Sequence, residues 1–545
     1  MAGRNRSQRS TQTHRFSEVP NAEIPRSSFD RSSGYKTTMD TGQLIPFFVD
    51  EALPGDTFNL RTSGFARMAT PIFPIMDNMQ MDTFYFAVPC RILWDNWVKM
   101  MGEQDNPEDS TDFITPEIQI GLGLEEHSLG DYFGIPTEVT GFSVSALPSR
   151  AYQRIWQEWF RDQNLQDSPD GIDTGDGPDS EFVLAVNPER RNKKPDYFTS
   201  ALPFPQKGPD VEVPLGGTVF VKGMAIRDDF TFPIADALNM RESGDLPGRT
   251  YLQARRQQGD DSGPEFFLEQ NPERVGFPFM RVDLEDAASV TVNALRQSFQ
   301  IQKMFERDAR GGSRYIEILR SHFGVTSPDM RQQRPEYLGG GTSMVNISPV
   351  HSTAETDPQG NPDGRSLGDL SAVGTVSFTG HGFTKSFTEH CIIIGLVTIR
   401  ADLTYQQGLN RMWARSDRFD YYWPALSHLG EQEILNQEIF ITSGDTELNE
   451  SVFGYQERYA EYRFKPSIIT GQFRSNSALT LDAWHLAEEF DSLPTLSAAF
   501  IPYSIPLERC IAVADQPHFI CDFYHKLICA RPMPLYGVPG NIDRF

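Results

Sequence analysis

Short β-type runs recur at long and irregular intervals along this 545-residue chain, and that spacing constrains the fold more than any other feature. The runs are MDTFYFAV (81–88), VGTVSFT (373–379), CIIIGLVTI (391–399), EIFIT (438–442) and YAEYRF (459–464). In the last, Ala460, Tyr462 and Phe464 share one face while Glu461 and Arg463 share the other, the two-residue period of a half-buried strand. Long Pro-rich excursions separate the runs. Such spacing does not fit the regular βαβ alternation of a parallel sheet, and no fixed repeat marks a solenoid or propeller. The expected class is mainly β, a sandwich or jelly roll with large inserted loops and a few helices.

Helical periodicity is clear in few places. At 149–163, Tyr152, Ile155, Trp156, Trp159 and Phe160 fall on one face behind Ser149 as the expected N-cap. A second helix is predicted from about Asp286 to Asp308, ended by Gly311-Gly312, and a short third over 314–322. The largest candidate insertion is 209–282, which contains the polar RQQGDDSGPEF; loops of that length are usually functional surfaces. Residues 1–40 are polar and weakly patterned. The folded body, 41–545, is expected to begin near Gly42, where GQLIPFFVDEALPGDTF brings apolar residues and turn signals together.

Hydrophobic residues at 39% and aromatics at 12% are enough for a sizeable core. A net charge of -25 repels nucleic acid over most of the surface, so any contact with it must be local. Arg4, Arg6, Arg9 and Arg15 precede the first acid, Glu18, and form a basic arm that can neutralise phosphates by counterion release. An arm ordered against neighbouring subunits is the equal alternative. The five cysteines form an odd set without CxxC spacing, against a disulfide framework or a zinc ribbon. With no signal-peptide core and no run of about 18 apolar residues, synthesis in a reducing cytoplasm is expected.

Enzyme signatures do not survive comparison with plainer readings. GxxxxGK[ST], GxSxG and HExxH are all missing from the sequence, and Gly121-x-Gly123 is followed by Glu125-Glu126 where a dinucleotide fold needs a third glycine. His485, Glu488 and Glu489 in DAWHLAEEF lack a second histidine at metal spacing and read as a structural helix. Asp170, Asp173, Asp176 and Asp179 are spaced every third residue, which misses the EF-hand pattern and reads as a solvated loop. His381, His390 and Cys391 would need a third orienting group to act as a catalytic pair. Arg296, Lys303, Arg307, Arg310, Arg314 and Arg320 read first as a solvated face or an interface network, and second as a phosphate-binding surface.

Long stretches of the sequence resemble the major capsid proteins of microviruses, particularly the gokushovirus branch. They include 24–58 (IPRSSFDRSSGYKTTMDTGQLIPFFVDEALPGDTF), 74–107 (PIMDNMQMDTFYFAVPCRILWDNWVKMMGEQDNP) and 147–166 (LPSRAYQRIWQEWFRDQNLQ). They continue through 194–209, 311–325 (GGSRYIEILRSHFGV), 329–340, 400–432 (RADLTYQQGLNRMWARSDRFDYYWPALSHLGEQ), 453–474 (FGYQERYAEYRFKPSIITGQFR) and the ending RPMPLYGVPGNIDRF at 531–545. The resemblance is lost over 1–20, 209–282 and about 342–372.

That resemblance implies a single eight-stranded antiparallel jelly roll, sixty copies of which close a T=1 icosahedral shell around circular single-stranded DNA. It implies an interior-facing arm over 1–40 and places 209–282 as an inserted protrusion at the threefold axes that meets a host-surface receptor. The partners it implies are an internal scaffolding protein, a DNA pilot protein and a small basic DNA-binding protein, with assembly in the host cytoplasm and residence in the virion. It implies no cofactor, and structural calcium, which it allows, falls on no particular residue here. Trp94, Trp97, Trp156, Trp159, Tyr421, Tyr422 and Trp423 are the expected core or interface anchors. The rival from another class is a carbohydrate-active β-protein, glycan-binding or glycoside hydrolase, since two carboxylates beside aromatic loops suffice for that chemistry.

Overall fold

The computed structural model describes residues 25–169, 172–211, 292–353 and 367–536, with the backbone of 221–222, 224–227, 265–268 and 281–282. Two sheets carry the body. The six-stranded sheet holds β1 (Ser27–Asp30), β2 (Ser33–Met39), β4 (Thr57–Met68), β7 (Asn346–His351), β8 (Leu370–Ser386) and β10 (Phe519–Arg531). The four-stranded sheet holds β3 (Ile45–Ala52), β5 (Met79–Pro89), β6 (Glu336–Met344) and β9 (Cys391–Ala401). Their orders are β1-β10-β4-β8-β7, with β2 also on β10, and β6-β5-β9-β3, antiparallel throughout. Successive strands change sheet from β2 to β3 to β4 to β5, and again from β8 to β9 to β10. That alternation is the wiring of a jelly roll, wider by its edge strands than the eight expected.

The sequence patterns follow from what each face meets. In β4, Phe58, Leu60, Thr62, Ala66 and Met68 point inward and alternate with exposed Asn59, Arg61, Phe65 and Arg67. β10 repeats this with Phe519, Cys521, Phe523, His525, Leu527 and Cys529 inward. Phe47 of β3 meets Phe523 of β10 edge to face at 5.0 Å, closing the space between the sheets. Each such fully buried ring stabilises the fold by roughly 1.5–3 kcal/mol over its exposed state. CIIIGLVTI shows no alternation because β9 is buried on both faces. One face looks into the barrel, and the other packs Ile392, Ile394 and Leu396 against Trp94, Tyr152 and Ile155. All five cysteines are buried and unpaired, and burial pushes the thiols of Cys90, Cys391 and Cys521 up to about 12.

Glycines in two strands mark close backbone approaches. A Cβ at Gly340 would collide with the Thr83 carbonyl of β5, and one at Gly382 with the Leu60 carbonyl of β4. Each lies beside a shift in strand register, between Tyr337 and Gly339 in β6 and between Phe378 and His381 in β8.

Several expectations need correction. The folded body starts before Gly42, because β1 and β2 already pair with β10. Their Ser- and Thr-rich sequence reads as an arm since β2 buries little apart from Met39 and β1 nothing fully. EIFIT is not a strand: Asn436–Ile439 is a helical turn after the strand Glu431–Leu435. The buried Glu438 accepts from Leu435 N–H and from Tyr197 O–H at 3.0 and 2.9 Å, which favours the turn over β propensity. YAEYRF is not one either: Tyr459 adopts φ +61° and Ala460–Tyr462 forms a tight turn of helix, with Glu461 drawn inward by Arg415.

Helix α1 spans Leu147–Ile155 and widens at Trp156–Phe160. Its N-cap is Ala146, with Pro148 in the first turn; Ser149 sits inside the helix and bonds back to the Ala146 carbonyl at 2.9 Å. DAWHLAEEF forms only a short turn at Asp482–Trp484 before extending. The other predicted helices are α2 (Val292–Gly311) and α3 (Tyr315–Phe323), the latter ended by Gly324 at φ +69°.

Residues 206–308 form a compact unit distinct from the rest. Within it, Val221–Lys222 pairs with Arg281–Val282 and Met224–Arg227 pairs with Glu265–Leu268, both antiparallel, the second pairing nested inside the first in sequence.

Candidate assembly interface

Between β9 and the hairpin of Glu431–Leu435 with Val452–Glu457, the chain lays down short turns that carry large side chains outward. Asn410 caps Arg411–Trp413 by accepting from Met412 N–H at 3.0 Å. Asp420 accepts from the N–H groups of Ser416 and Asp417 at 2.9 and 2.8 Å, and these bonds hold its carboxyl below the usual range. The loop is thereby fixed without burial of its rings. Trp413 is 70% exposed, Phe419 56% and Trp423 39%, with Tyr421, Tyr422, Tyr462 and Phe464 near half.

Arginines cover three of these rings, Tyr421, Tyr462 and Trp423. Arg415 lies 4.3 Å over Tyr462 and 5.5 Å from Tyr421, while its guanidinium pairs with buried Glu461 at 3.3 Å. Arg418 covers Trp423 at 4.6 Å, and the Trp423 indole donates to Arg418 O at 3.0 Å. Tyr422 meets Tyr459 and Tyr462 edge to face at 5.1 and 6.2 Å. Beneath lies a separate core of Tyr197, Phe198, Ile434, Ile439, Phe453 and Phe500. Pre-ordered Trp, Tyr and Arg side chains over a rigid base lose little entropy on contact, which is the composition of interface hot spots. Large exposed apolar groups clustered this densely mark a surface made to be covered.

The other expected anchors are inside. Trp94 is fully buried and donates to Asp176 at 2.7 Å; Trp156 is buried and donates to Arg190 O at 3.2 Å. Trp97 and Trp159 pack half-buried against the α1 core, and Trp159 carries Arg334 over its ring at 4.2 Å. The expected Trp and Tyr anchors thus divide by location, and Trp413 and Tyr462, which belong to the exposed set, were not among them. For Tyr462 the signal is the Arg415 guanidinium over its ring, visible only once 411–423 and 458–464 come together; Trp413 stands out by its exposure alone. Arg4, Arg6, Arg9 and Arg15 lie outside the described residues, as does most of 209–282.

The acidic loop is a structural tie. Asp179 takes a two-pronged bond from buried Arg150 at 2.6 and 2.8 Å, and Asp176 accepts from both Trp94 and Asn96. No group of three His, Cys, Asp or Glu suited to a metal occurs among the described residues. The N–H groups of Gly121, Leu122 and Gly123 do cradle an anion, the Glu181 carboxylate of the same chain, and hold it below its usual range. Glu488 pairs with Lys193 at 2.9 Å, Glu489 with Arg509 at 3.4 Å, and His485 donates from Nε2 to Phe473 O at 2.6 Å. His381 bonds Thr83 and Ser343, and Cys391 bonds Glu389 O. In the basic helical region, Arg310 binds Glu431, and Arg314 binds Glu317 and the carbonyls of Gln157 and Arg161.

The chain matches the family described as Capsid protein (F protein) over residues 17–541. It is similar to Capsid protein VP1 of Chlamydia phage 1, at 44% identity over 97% of this chain and 98% of that one. Capsid protein VP1 of Bdellovibrio phage phiMH2K is also 44% identical, over 98% of each chain. Capsid protein VP1 of Spiroplasma virus 4 is 34% identical over 97% of each.

Proposed function

The chain belongs to the capsid protein (F protein) family, a structural and non-enzymatic subunit of a phage virion, and from that premise we propose that sixty copies close a T=1 shell around circular single-stranded DNA. The carbohydrate-active reading falls with this membership. The observation that carries the proposal is the ring-and-arginine surface of 411–423 and 458–464, held rigid and left open on a chain whose family forms shells. A second copy is its occupant.

Residues 209–282 serve as the surface loop for host attachment. Support comes from the separation of 206–308 as a compact unit and from the two antiparallel pairings within it, one nested inside the other in sequence. The arm carrying Arg4, Arg6, Arg9 and Arg15 faces the genome. Assembly in the host cytoplasm draws on an internal scaffolding protein, and the finished particle adds a DNA pilot protein, a small basic DNA-binding protein and a host receptor as partners.

Sedimentation of the protein expressed with its scaffolding partner tests the reading. Closed particles of one size, inert toward glycans, are expected; a persistent monomer that cleaves glycans would overturn it.

A further inference from the structure

β4 and β10 lie side by side in the six-stranded sheet, and their outward residues face each other in pairs: Arg61 with Lys526, Ser63 with Tyr524, Phe65 with Asp522, Arg67 with Ile520. The pattern is an aromatic centre between cationic ends. Phe65 and Tyr524 are 51% and 54% exposed and stand on the diagonal of adjacent pairs, about 7–8 Å apart by sheet geometry. Arg61 and Arg67 sit six residues apart on one strand, about 20 Å.

The charge here runs against the whole chain. Lys36 of β2 adds to Arg61, Arg67 and Lys526, whereas the carboxylates on this face are Asp522, paired with Lys36 at 3.5 Å, and Asp30, which feels the charge of Lys526. A net charge of -25 makes such a local excess of cations conspicuous. Elsewhere Arg91, Arg150, Arg191, Arg310 and Arg400 each bind a carboxylate. Arg61 and Arg67 make no ion pair or side-chain hydrogen bond among the described residues. The four-stranded sheet differs again, since its outer face is covered by the α1 core.

We propose that this open face of the six-stranded sheet binds single-stranded DNA, a reading that rests on the shell enclosing such a genome. Unstacked bases lie on Phe65 and Tyr524, and the flanking guanidiniums and Lys526 take phosphates. Flat exposed rings between unpaired cations suit single strands irrespective of sequence, because every base has a stacking face. A two-fold contact with a second copy of this face would set cations against cations.

The test is binding of the full-length chain to a fluorescent 20-residue oligo(dT) across a salt series, for the wild type and two double variants. Arg61→Gln with Arg67→Gln lowers the slope of log affinity against log salt by about 1.4, at about 0.7 per phosphate contact. Phe65→Ala with Tyr524→Ala weakens binding about tenfold or more at fixed salt and leaves the slope unchanged. All four side chains are exposed, so thermal midpoints stay at the wild-type value. Ultraviolet cross-linking within purified particles then places DNA on peptides 57–68 and 519–531. No binding by the wild type, or unchanged affinity and slope in both variants, overturns the proposal. So does loss of particle assembly with oligo(dT) binding intact, which would mark the face as a contact between copies. DNA-filled particles cross-linked solely through residues 1–24 overturn this surface but leave the genome-enclosing shell standing; particles devoid of DNA overturn both.

Discussion

Thr62 of β4 and His525 of β10 meet inside the barrel, with Thr62 Oγ1 2.9 Å from His525 Nδ1. The partners around them fix the protons. His525 Nε2 lies 3.0 Å from Phe47 O, an acceptor, so Nε2 carries the hydrogen and Nδ1 accepts from Thr62. Thr62 in turn accepts from Tyr85 O–H at 2.5 Å. The imidazole is held neutral, and burial brings it from 6.5 down to about 4 despite the bond to Phe47 O.

Stability therefore depends on acid in a definite sense. Below pH 6.5 the unfolded chain binds a proton at His525 that the folded one refuses, so stability falls as pH drops from 6.5 and levels off near 4. Burial depresses His381 and His518 in the same direction, while Glu189, Glu438 and Glu488, raised by burial, act in the opposite one. The clean measurement is the difference between wild type and His525→Gln. Thermal midpoints measured from pH 7 to pH 4 should fall less steeply in the variant; parallel curves would contradict the account.

Asp82 anchors a buried charge cluster in the middle of β5. Arg400 Nε donates to it at 2.7 Å, Thr342 O–H at 2.6 Å, and Arg191 completes the set. Burial pushes its carboxyl up, yet the Thr342 bond and the two guanidiniums hold it below the usual range. Asp82→Asn leaves two cations without their counter-charge and costs about 3–5 kcal/mol. Chemical denaturation gives the value, and a loss below about 1 kcal/mol would show that the arginines find other partners.

How much of this was legible in the sequence depends on range. β5, β8 and β9 announced themselves because their burial is written into consecutive residues, as in CIIIGLVTI. EIFIT and YAEYRF misled because the groups that turn them, Tyr197, Arg411, Gln432 and Arg415, lie far away or in other turns. β1 and β2 were hidden by polarity, since an edge strand needs a partner's hydrogen bonds more than an apolar face. The divided fate of the aromatics was out of reach as well: the residues beside Trp94 and Trp423 in the chain do not say that the first is fully buried and the second 39% exposed.

The exposed ring surface should matter to assembly and not to folding. Trp413→Ala, at a site 70% exposed, changes subunit stability by no more than about 0.5 kcal/mol. The same change, combined with Phe419→Ala, is expected to abolish closed particles in sedimentation profiles. Particles at wild-type yield would remove this surface from the interface.

Deletion of 209–282 separates shell formation from host contact. Particles should still close while adsorption to host cells drops at least tenfold. Collapse of assembly would make the segment architectural.

A three-dimensional reconstruction of purified particles from cryo-electron micrographs decides whether the ring surface joins sixty copies into a shell. Sixty copies in a T=1 lattice are expected, with Trp413, Phe419 and Tyr421 buried against a neighbouring copy. A lattice of another number, or a closed shell that leaves those three rings facing solvent, would contradict it.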